Sequence, residues 1–174
     1  MEKNNIEIRQ AQFNDIESIA EIKVYGWQSA YRGIIDDEYL DLISVSEQIE
    51  NIKQYSLDTI FVAQRDNEIL GFCRFYDYAK TVYDDKEIDC EIREIYVKPN
   101  IKRMGIGSKL FKHTLKYFKQ KGKKKLYLGC YEKNYNARKF YEKMGGIAAF
   151  GKDIKIVGKI YPVVSYIYYL NNTV

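Results

Sequence analysis

Residues 96–118 read YVKPNIKRMGIGSKLFKHTLKYF, and the succession of residue types in this run decides the architecture. Tyr96 and Val97 close an apolar stretch, EIREIYV, that reads as a strand stopped by Pro99, which has no N–H to give to a ladder. After Gly107 the pattern turns amphipathic at helical spacing. Leu110, Phe111, Thr114, Leu115 and Phe118 fall on one side, with Lys109, Lys112, Lys116 and Lys119 on the other. Between strand and helix lie Lys102, Arg103, Gly105 and Gly107. The first N–H groups of a helix have no partner within it, and the positive end of the helix dipole points the same way. Glycines let an anion approach that backbone closely, because they carry no Cβ. A phosphate or pyrophosphate fits such a joint. A dinucleotide fingerprint would want a third glycine at Leu110, and a P-loop would want lysine directly after Gly107, where Ser108-Lys109 stands. On its own, Gly-x-Gly is equally consistent with a tight turn that only starts a helix.

On the N-terminal side, residues 6–9 alternate like a short strand. Asn14 with Glu17 three positions on has the form of a capping box. Ile16, Ile19, Ala20, Ile22, Trp27, Ala30 and Tyr31 follow as a helical apolar stripe. Asp36 is expected to cap a second helix, and Ser44 with Glu47 a further turn. TIFVAQ and ILGFCRFY flank RDNE, so Asp66-Asn67 predicts a hairpin. Residues 81–89 form a polar, acidic connection. Toward the C-terminus, KKLYLGCY predicts a strand, residues 136–144 a helix closed by Gly145, and VVSYIYYL a last strand. The order strand, two helices, hairpin, strand, helix, strand, helix, strand predicts an α/β fold. Its central sheet is mixed and mostly antiparallel, with one parallel crossover and helices on both faces. The glycine joint then lies at the carboxyl end of the strand entering the crossover, where α/β sheets place ligands.

The totals narrow the class. The chain has 174 residues, and domains take about 100–150 each, so one domain over 1–174 is expected. The net charge, 28 − 24 = +4, is far from the footprint of a dedicated nucleic-acid binder. Cys73, Cys90 and Cys130 are scattered, which argues against a disulfide framework or a zinc site and for a reducing compartment. No signal-peptide core and no bilayer-length apolar run is visible, so the expectation is a soluble cytoplasmic protein with no membrane partner.

The stretch EIREIYVKPNIKRMGIGSKLF followed by NYNARKFYEKMGG resembles the GNAT superfamily of acyl-CoA N-acyltransferases. That family's pattern is a strand, then Gln/Arg-x-x-Gly-x-Gly/Ala opening a helix, then Asn-x-x-Ala-x-x-Phe-Tyr-Glu-Lys-x-Gly-Phe. The first motif is met by Lys102, Arg103, Met104, Gly105, Ile106 and Gly107, and the second by Asn134, Ala137, Phe140, Tyr141, Glu142, Lys143 and Gly145. Lys102 stands where Gln or Arg is usual and keeps the positive charge. Gly146 stands where Phe is usual and removes an apolar anchor.

The resemblance implies acetyl-CoA as acyl donor and no metal. Its pyrophosphate would rest on backbone N–H groups of residues 103–108, Ser108 included, and its pantetheine arm beside Ile95, Tyr96 and Val97. Asn134 and Lys143 complete the expected cofactor contacts. Acetyl transfer to an amine needs a base for the ammonium, a donor for the developing oxyanion and an acid for the departing sulfur. Tyr141 matches the family tyrosine often given the last role. Glu91 aligns with a well-known family base, and Glu94 is a second candidate on the same strand. A water relay is the third option. A backbone N–H near Tyr96 or Val97 is the expected oxyanion donor.

His113, the one histidine, is expected at the surface, and Cys130 as a small buried strand residue. Acceptor choice in the family comes from the first helices and the loop before the fourth strand. Here those regions carry Trp27, Tyr31, Asp36, Asp37 and Glu38, then Asp84, Asp85, Glu87, Asp89 and Glu91. Acidic side chains there would favour a cationic acceptor. YEKNYNARKFYEKMG also resembles bacterial spermidine/spermine acetyltransferases, so a polyamine is the first expectation. The alternatives are a protein N-terminus or lysine as acceptor, or a CoA-binding regulator without turnover. The tyrosine-rich final strand offers an edge for a homodimer.

Overall fold

The structure, a computed structural model, describes residues 6–79, 87–101 and 104–170. Its sheet is built from β1 (Glu7–Gln10), β2 (Ile60–Arg65), β3 (Glu68–Tyr76), β4 (Cys90–Val97), β5 (Lys125–Tyr131), β6 (Ile147–Ile156) and β7 (Lys159–Tyr169). The strand order is β1-β2-β3-β4-β5-β7-β6. The helices are α1 (Ile16–Tyr31), α2 (Asp37–Leu42), α3 (Val45–Lys53), α4 (Ile106–Gln120) and α5 (Tyr135–Lys143). Neighbouring strands are antiparallel except β4 and β5, which run parallel and are joined through α4. This is the mixed sheet with one parallel crossover that the sequence predicts.

Local chemistry explains most boundaries. Asp66 and Asn67 both take positive φ, 49° and 65°, as a two-residue hairpin between β2 and β3 requires. The Asp36 carboxylate accepts from the N–H groups of Glu38 and Tyr39 at 3.0 and 3.2 Å and starts α2. Ser44 caps α3 through the Glu47 N–H at 3.2 Å.

Four sequence expectations need correction. Asn14 is not the cap of α1. The carboxylate that turns the chain is that of Asp15, which accepts from the Gln12 N–H at 2.7 Å and pairs with Arg9 at 2.7 Å. α4 begins at Ile106, one residue before Gly107, because Gly105 supplies the left-handed residue ahead of it. α5 begins at Tyr135, not Asn136, since the Asn134 side chain caps it from the Ala137 N–H at 3.2 Å. Finally, β6 does not appear in the predicted order, and because it pairs with β7 on the side away from β5, the final strand has no free edge for a second copy. The residues of β6 are almost wholly exposed, so no buried face imposes an apolar alternation on them.

The two faces of the sheet carry separate cores. Ile106, Leu110, Phe111 and Phe118 of α4 and Tyr141 of α5 pack with Phe75, Cys90, Ile92, Leu126 and Leu128. On the opposite face Ile16, Ile19, Ala20 and Ile22 of α1 and Ile52 of α3 pack with Ile60, Val62 and Phe72. Helices thus cover both faces.

Two irregularities in β4 break the regularity of the sheet at its centre. Arg74 of β3 lies opposite Glu94 and Phe75 opposite Ile92, so Arg93 is an extra residue, a β-bulge. The bulge reverses the alternation. Cys90 and Ile92 pack on the α4 side, whereas Tyr96 packs on the α1 side and Glu94 pairs there with Lys23. Glu91 and Glu94, an odd number of positions apart, therefore share the α1 face. The second irregularity is a parting of strands. β4 and β5 pair only over Cys90, Glu91 and Ile92 against Leu126, Tyr127 and Leu128. Beyond that point β4 runs on to Val97 and β5 to Tyr131 with no rung between them among the described residues.

Candidate active site

A gap between parted strands leaves backbone N–H and C=O groups of β4 with no ladder on that side, and such groups seek partners. Ile95, Tyr96 and Val97 lie along this edge. The gap leads to the start of α4, whose N-cap Gly105 has φ 78° and no side chain closing the helix end. Among the described residues no side chain caps the first helical N–H groups, those of Ile106, Gly107 and Ser108, and Lys109 makes the first helical bond back to Gly105 at 3.0 Å. Met104 is exposed at this mouth and Ile106 is buried beneath it. Lys102 and Arg103, and the acceptor candidates Asp84 and Asp85, lie outside the described residues.

The joint suits an anion on the molecule's own terms. A Cβ at Gly105 would meet nothing within 4 Å, and one at Gly107 would touch Phe140 and Val97 at 3.8 Å. Among the described residues this space is open. Only the positive φ of Gly105 is a conformational demand, and Asn tolerates that region where Val does not. Gly105→Asn is therefore expected to keep the melting temperature within a few degrees while weakening coenzyme A binding at least tenfold by calorimetry. Gly105→Val should lose both. Native affinity in a folded Gly105→Asn protein would sink the cradle.

Side chains from both faces converge on the gap. Tyr141 of α5 is buried, which pushes its phenol well above the usual tyrosine value, with Cys130 and Tyr31 close enough to add to the effect. Tyr31 comes from α1, across the sheet from α5. Its hydroxyl lies 2.9 Å from that of Tyr96, whose phenol burial likewise pushes up, with Tyr31, Glu94 and Tyr141 contributing. Tyr31 and Tyr96 meet on the α1 face of the sheet, while Tyr141 belongs to the core on the other face. α1 comes close because Gly26 has no side chain, and a Cβ there would lie 2.9 Å from the Tyr96 ring.

Trp27 meets Tyr31 edge-on at 5.2 Å, Tyr31 meets Tyr131 at 5.0 Å, and Tyr131 meets Tyr161 at 6.3 Å. These four rings make an aromatic wall on the α1 side. The Trp27 Nε1 donor is buried with no hydrogen-bond partner among the described residues. The acids of the neighbouring turn are already engaged. Asp36 caps α2 and pairs with Lys159, and Asp37 and Asp41 pair with Arg32.

The two carboxylates on β4 differ sharply. Burial pushes Glu94 up, but Arg74 and Lys23 outweigh it and hold the carboxyl below the usual range. Each oxygen is taken, Oε1 by Lys23 at 2.8 Å and Oε2 by Arg74 at 2.7 Å. Glu91 is fully buried, with the Arg93 guanidinium 3.5 Å away, and stands one rung before the strands part. Asn134 Oδ1 is spent on the α5 cap, and Lys143 is exposed in the last turn of that helix. His113 packs edge-on against Phe61 at 4.7 Å and takes no part. Burial pushes the Cys130 thiol up to about 12, which makes it a poor nucleophile.

No sequence motif marks Tyr131, Tyr161 or Tyr168. Tyr131 and Tyr161 complete the wall, and Tyr168 donates to the Tyr141 carbonyl. A signal for the last existed. A missing Phe at 146 asks for an aromatic from elsewhere, and the final strand is rich in them. Among the described residues no group of His, Cys, Asp and Glu side chains is placed to hold a metal ion, and no helix is long and apolar enough to cross a membrane.

In sequence and in fold the chain is similar to known N-acetyltransferases. The Acetyltransferase (GNAT) family matches residues 21–146. An uncharacterized N-acetyltransferase of Archaeoglobus fulgidus is 29% identical over 136 residues, 78% of this chain and 89% of that protein. The spermidine N(1)-acetyltransferase of Thermoplasma acidophilum is 28% identical over 149 residues, 81% of this chain and 88% of its own. Among solved structures, the PaiA N-acetyltransferase of Thermoplasma acidophilum in complex with coenzyme A superposes with a TM-score of 0.69 at 23% identity, covering 94% of this chain and 99% of that one.

Proposed function

The chain belongs to the Acetyltransferase (GNAT) family and is an acetyl-CoA-dependent N-acetyltransferase, and on that premise we propose that it acetylates a small cationic primary amine of the polyamine kind. One observation carries the reading. β4 and β5 part after Ile92, and the strand edge left open there runs to Val97, beside Gly107 at the start of α4.

The N–H groups at the start of α4, with Lys102 and Arg103, hold the pyrophosphate. Ile95, Tyr96 and Val97 receive the pantetheine arm along their unpaired edge. Asn134, whose Oδ1 is taken, turns its NH₂ to the cofactor, and Lys143 adds charge beside it. Acetyl-CoA, when bound, supplies an activated acetyl carbonyl for direct attack by the amine in a ternary complex.

Glu91 takes the proton that the ammonium must lose, through water where the reach demands it. The Val97 N–H, which faces the gap because the Lys98 N–H next to it is given to Leu70 of β3, donates to the carbonyl oxygen as charge grows on it. The Tyr141 phenol, kept protonated by burial, gives its proton to the departing sulfur. Glu94 stays an anion between its two cations and orders the floor of the site.

The aromatic wall supports a cationic acceptor, since π faces attract ammonium groups. The spermidine N(1)-acetyltransferase relative points the same way. Trp27 and Tyr31 contact the acceptor, and Asp84 and Asp85 steer it. The whole chain acts as one domain, and its three free, buried cysteines fit a reducing cytoplasm.

A thiol-release assay with acetyl-CoA across polyamines, amino acids and N-terminal peptides tests the reading. Spermidine or spermine should give the highest kcat/KM, and KM should rise with salt as exposed charges are screened. Release with amino acids or peptides alone would sink the polyamine assignment. No release with any amine would sink catalysis.

A further inference from the structure

Gly146, the departure from the family's second motif, has a physical reason that lies on another strand. Its backbone does not demand glycine. The glycines with positive φ are Gly33, Gly105, Gly122, Gly145 and Gly158. Crowding excludes a side chain instead. A Cβ at 146 would lie 2.6 Å from Tyr168 Oη, 2.8 Å from Tyr168 Cζ and 3.0 Å from the Tyr141 carbonyl oxygen.

Tyr168 arrives from β7 and fills the space left open at 146. It is buried, with its ring 5.2 Å from that of Phe111. Its hydroxyl donates to the Tyr141 carbonyl at 2.8 Å. The Gly146 N–H donates to the same carbonyl at 3.0 Å. The last turn of α5 is thus closed on one oxygen by two donors, one of them from a distant strand.

We propose that Tyr168 is a positioning residue for acetyl transfer: its hydroxyl, seated over Gly146, fixes the end of α5 and with it the direction of the Tyr141 side chain. The inference rests on the reading of Tyr141 as proton donor. The Tyr141 ring is otherwise flanked by Phe140 at 5.4 Å, Tyr166 at 5.9 Å and Phe111 at 6.4 Å. Ring contacts of this kind define a slot but set no polar anchor. A hydrogen bond to the residue's own carbonyl pins the backbone from which the side chain springs. An aromatic at position 146 would supply bulk alone. Tyrosine at 168 supplies bulk and a donor, and glycine at 146 is the condition for it.

The test is a double-mutant cycle read in kcat. Tyr168→Phe keeps the ring and removes the donor, so kcat should fall roughly three- to tenfold, the worth of one buried neutral hydrogen bond, with coenzyme A affinity and the amine KM unchanged. Gly146→Ala pushes the Tyr168 ring away and should reproduce that loss. The two together should be no worse than either, because they break the same contact. Tyr141→Phe alone should cost about 10²-fold in kcat, the low end for general-acid help to a fair leaving group.

In the Tyr141→Phe background Tyr168→Phe should then change kcat no further, since no phenol remains to be directed. A role confined to packing would instead lower kcat by the same factor in both backgrounds. Wild-type kcat in Tyr168→Phe, or additivity in the cycle, overturns the positioning role while Tyr141 stands. Wild-type kcat in Tyr141→Phe removes Tyr141 as the donor and overturns both.

Discussion

Glu91→Gln lowers kcat/KM for amine acetylation at neutral pH by about 10²–10⁴-fold and leaves coenzyme A affinity unchanged. The reason lies in the acceptor. An alkyl ammonium has a pKa of about 10, so near pH 7 roughly one amine in 10³ is free to attack without help. Glutamine has nearly the shape of glutamate and fits the fully buried position, but it cannot take a proton. As pH rises toward about 10, the amine arrives deprotonated and no longer needs a base. The deficit of the variant should therefore shrink with rising pH. A merely structural Glu91 makes a different forecast, a deficit constant across pH together with a lower melting temperature. Paired pH–rate profiles decide between them, and two parallel profiles would remove Glu91 from the chemistry.

What the sequence made legible was local. The glycine joint, the Asp66-Asn67 hairpin and the amphipathic α4 are each written within a dozen residues, and their physics acts at that range. The features that assemble the site are long-range or single-residue irregularities. The Arg93 bulge slips β4 by one position and brings Glu91 and Glu94 to one face, whereas strict alternation would have parted them. No periodicity count detects a single extra residue. The exchange between Gly146 and Tyr168 joins positions on α5's exit and β7, and only their contact in space gives it meaning. β6 carries no apolar alternation because almost nothing buries it. Acidity near the acceptor was legible, but its use was not. Asp36 looked like a lure for cations and spends its charge on a helix cap and Lys159.

Glu94→Gln, at the second carboxylate of β4, is expected to destabilise the fold by about 3–5 kcal/mol, the usual cost of removing one partner from a buried ionic cluster. Glu94 stands between Lys23 and Arg74 with side-chain exposures of 12%, 11% and 10%. Arg74 is held further by the Tyr76 hydroxyl at 2.9 Å and by the Tyr55 ring face 4.2 Å from its guanidinium carbon. It cannot swing out to water when the anion is lost. The variant would leave two cations facing each other where solvent screens them poorly. Removing one of them with Lys23→Met should recover part of the loss, because the two changes are coupled through the same charge. The pH dependence has a fixed sign. Glu94 is held below the usual carboxylate range in the folded protein, so its contribution is complete above about 4.3, where the unfolded carboxyl titrates, and fades as pH falls through the lower folded value. Denaturant melts of the two proteins should thus differ most at neutral pH and converge only in that acid window. A difference under about 1 kcal/mol at neutral pH, the worth of an exposed pair, would show that the cluster is not the buried support of the site that its geometry indicates.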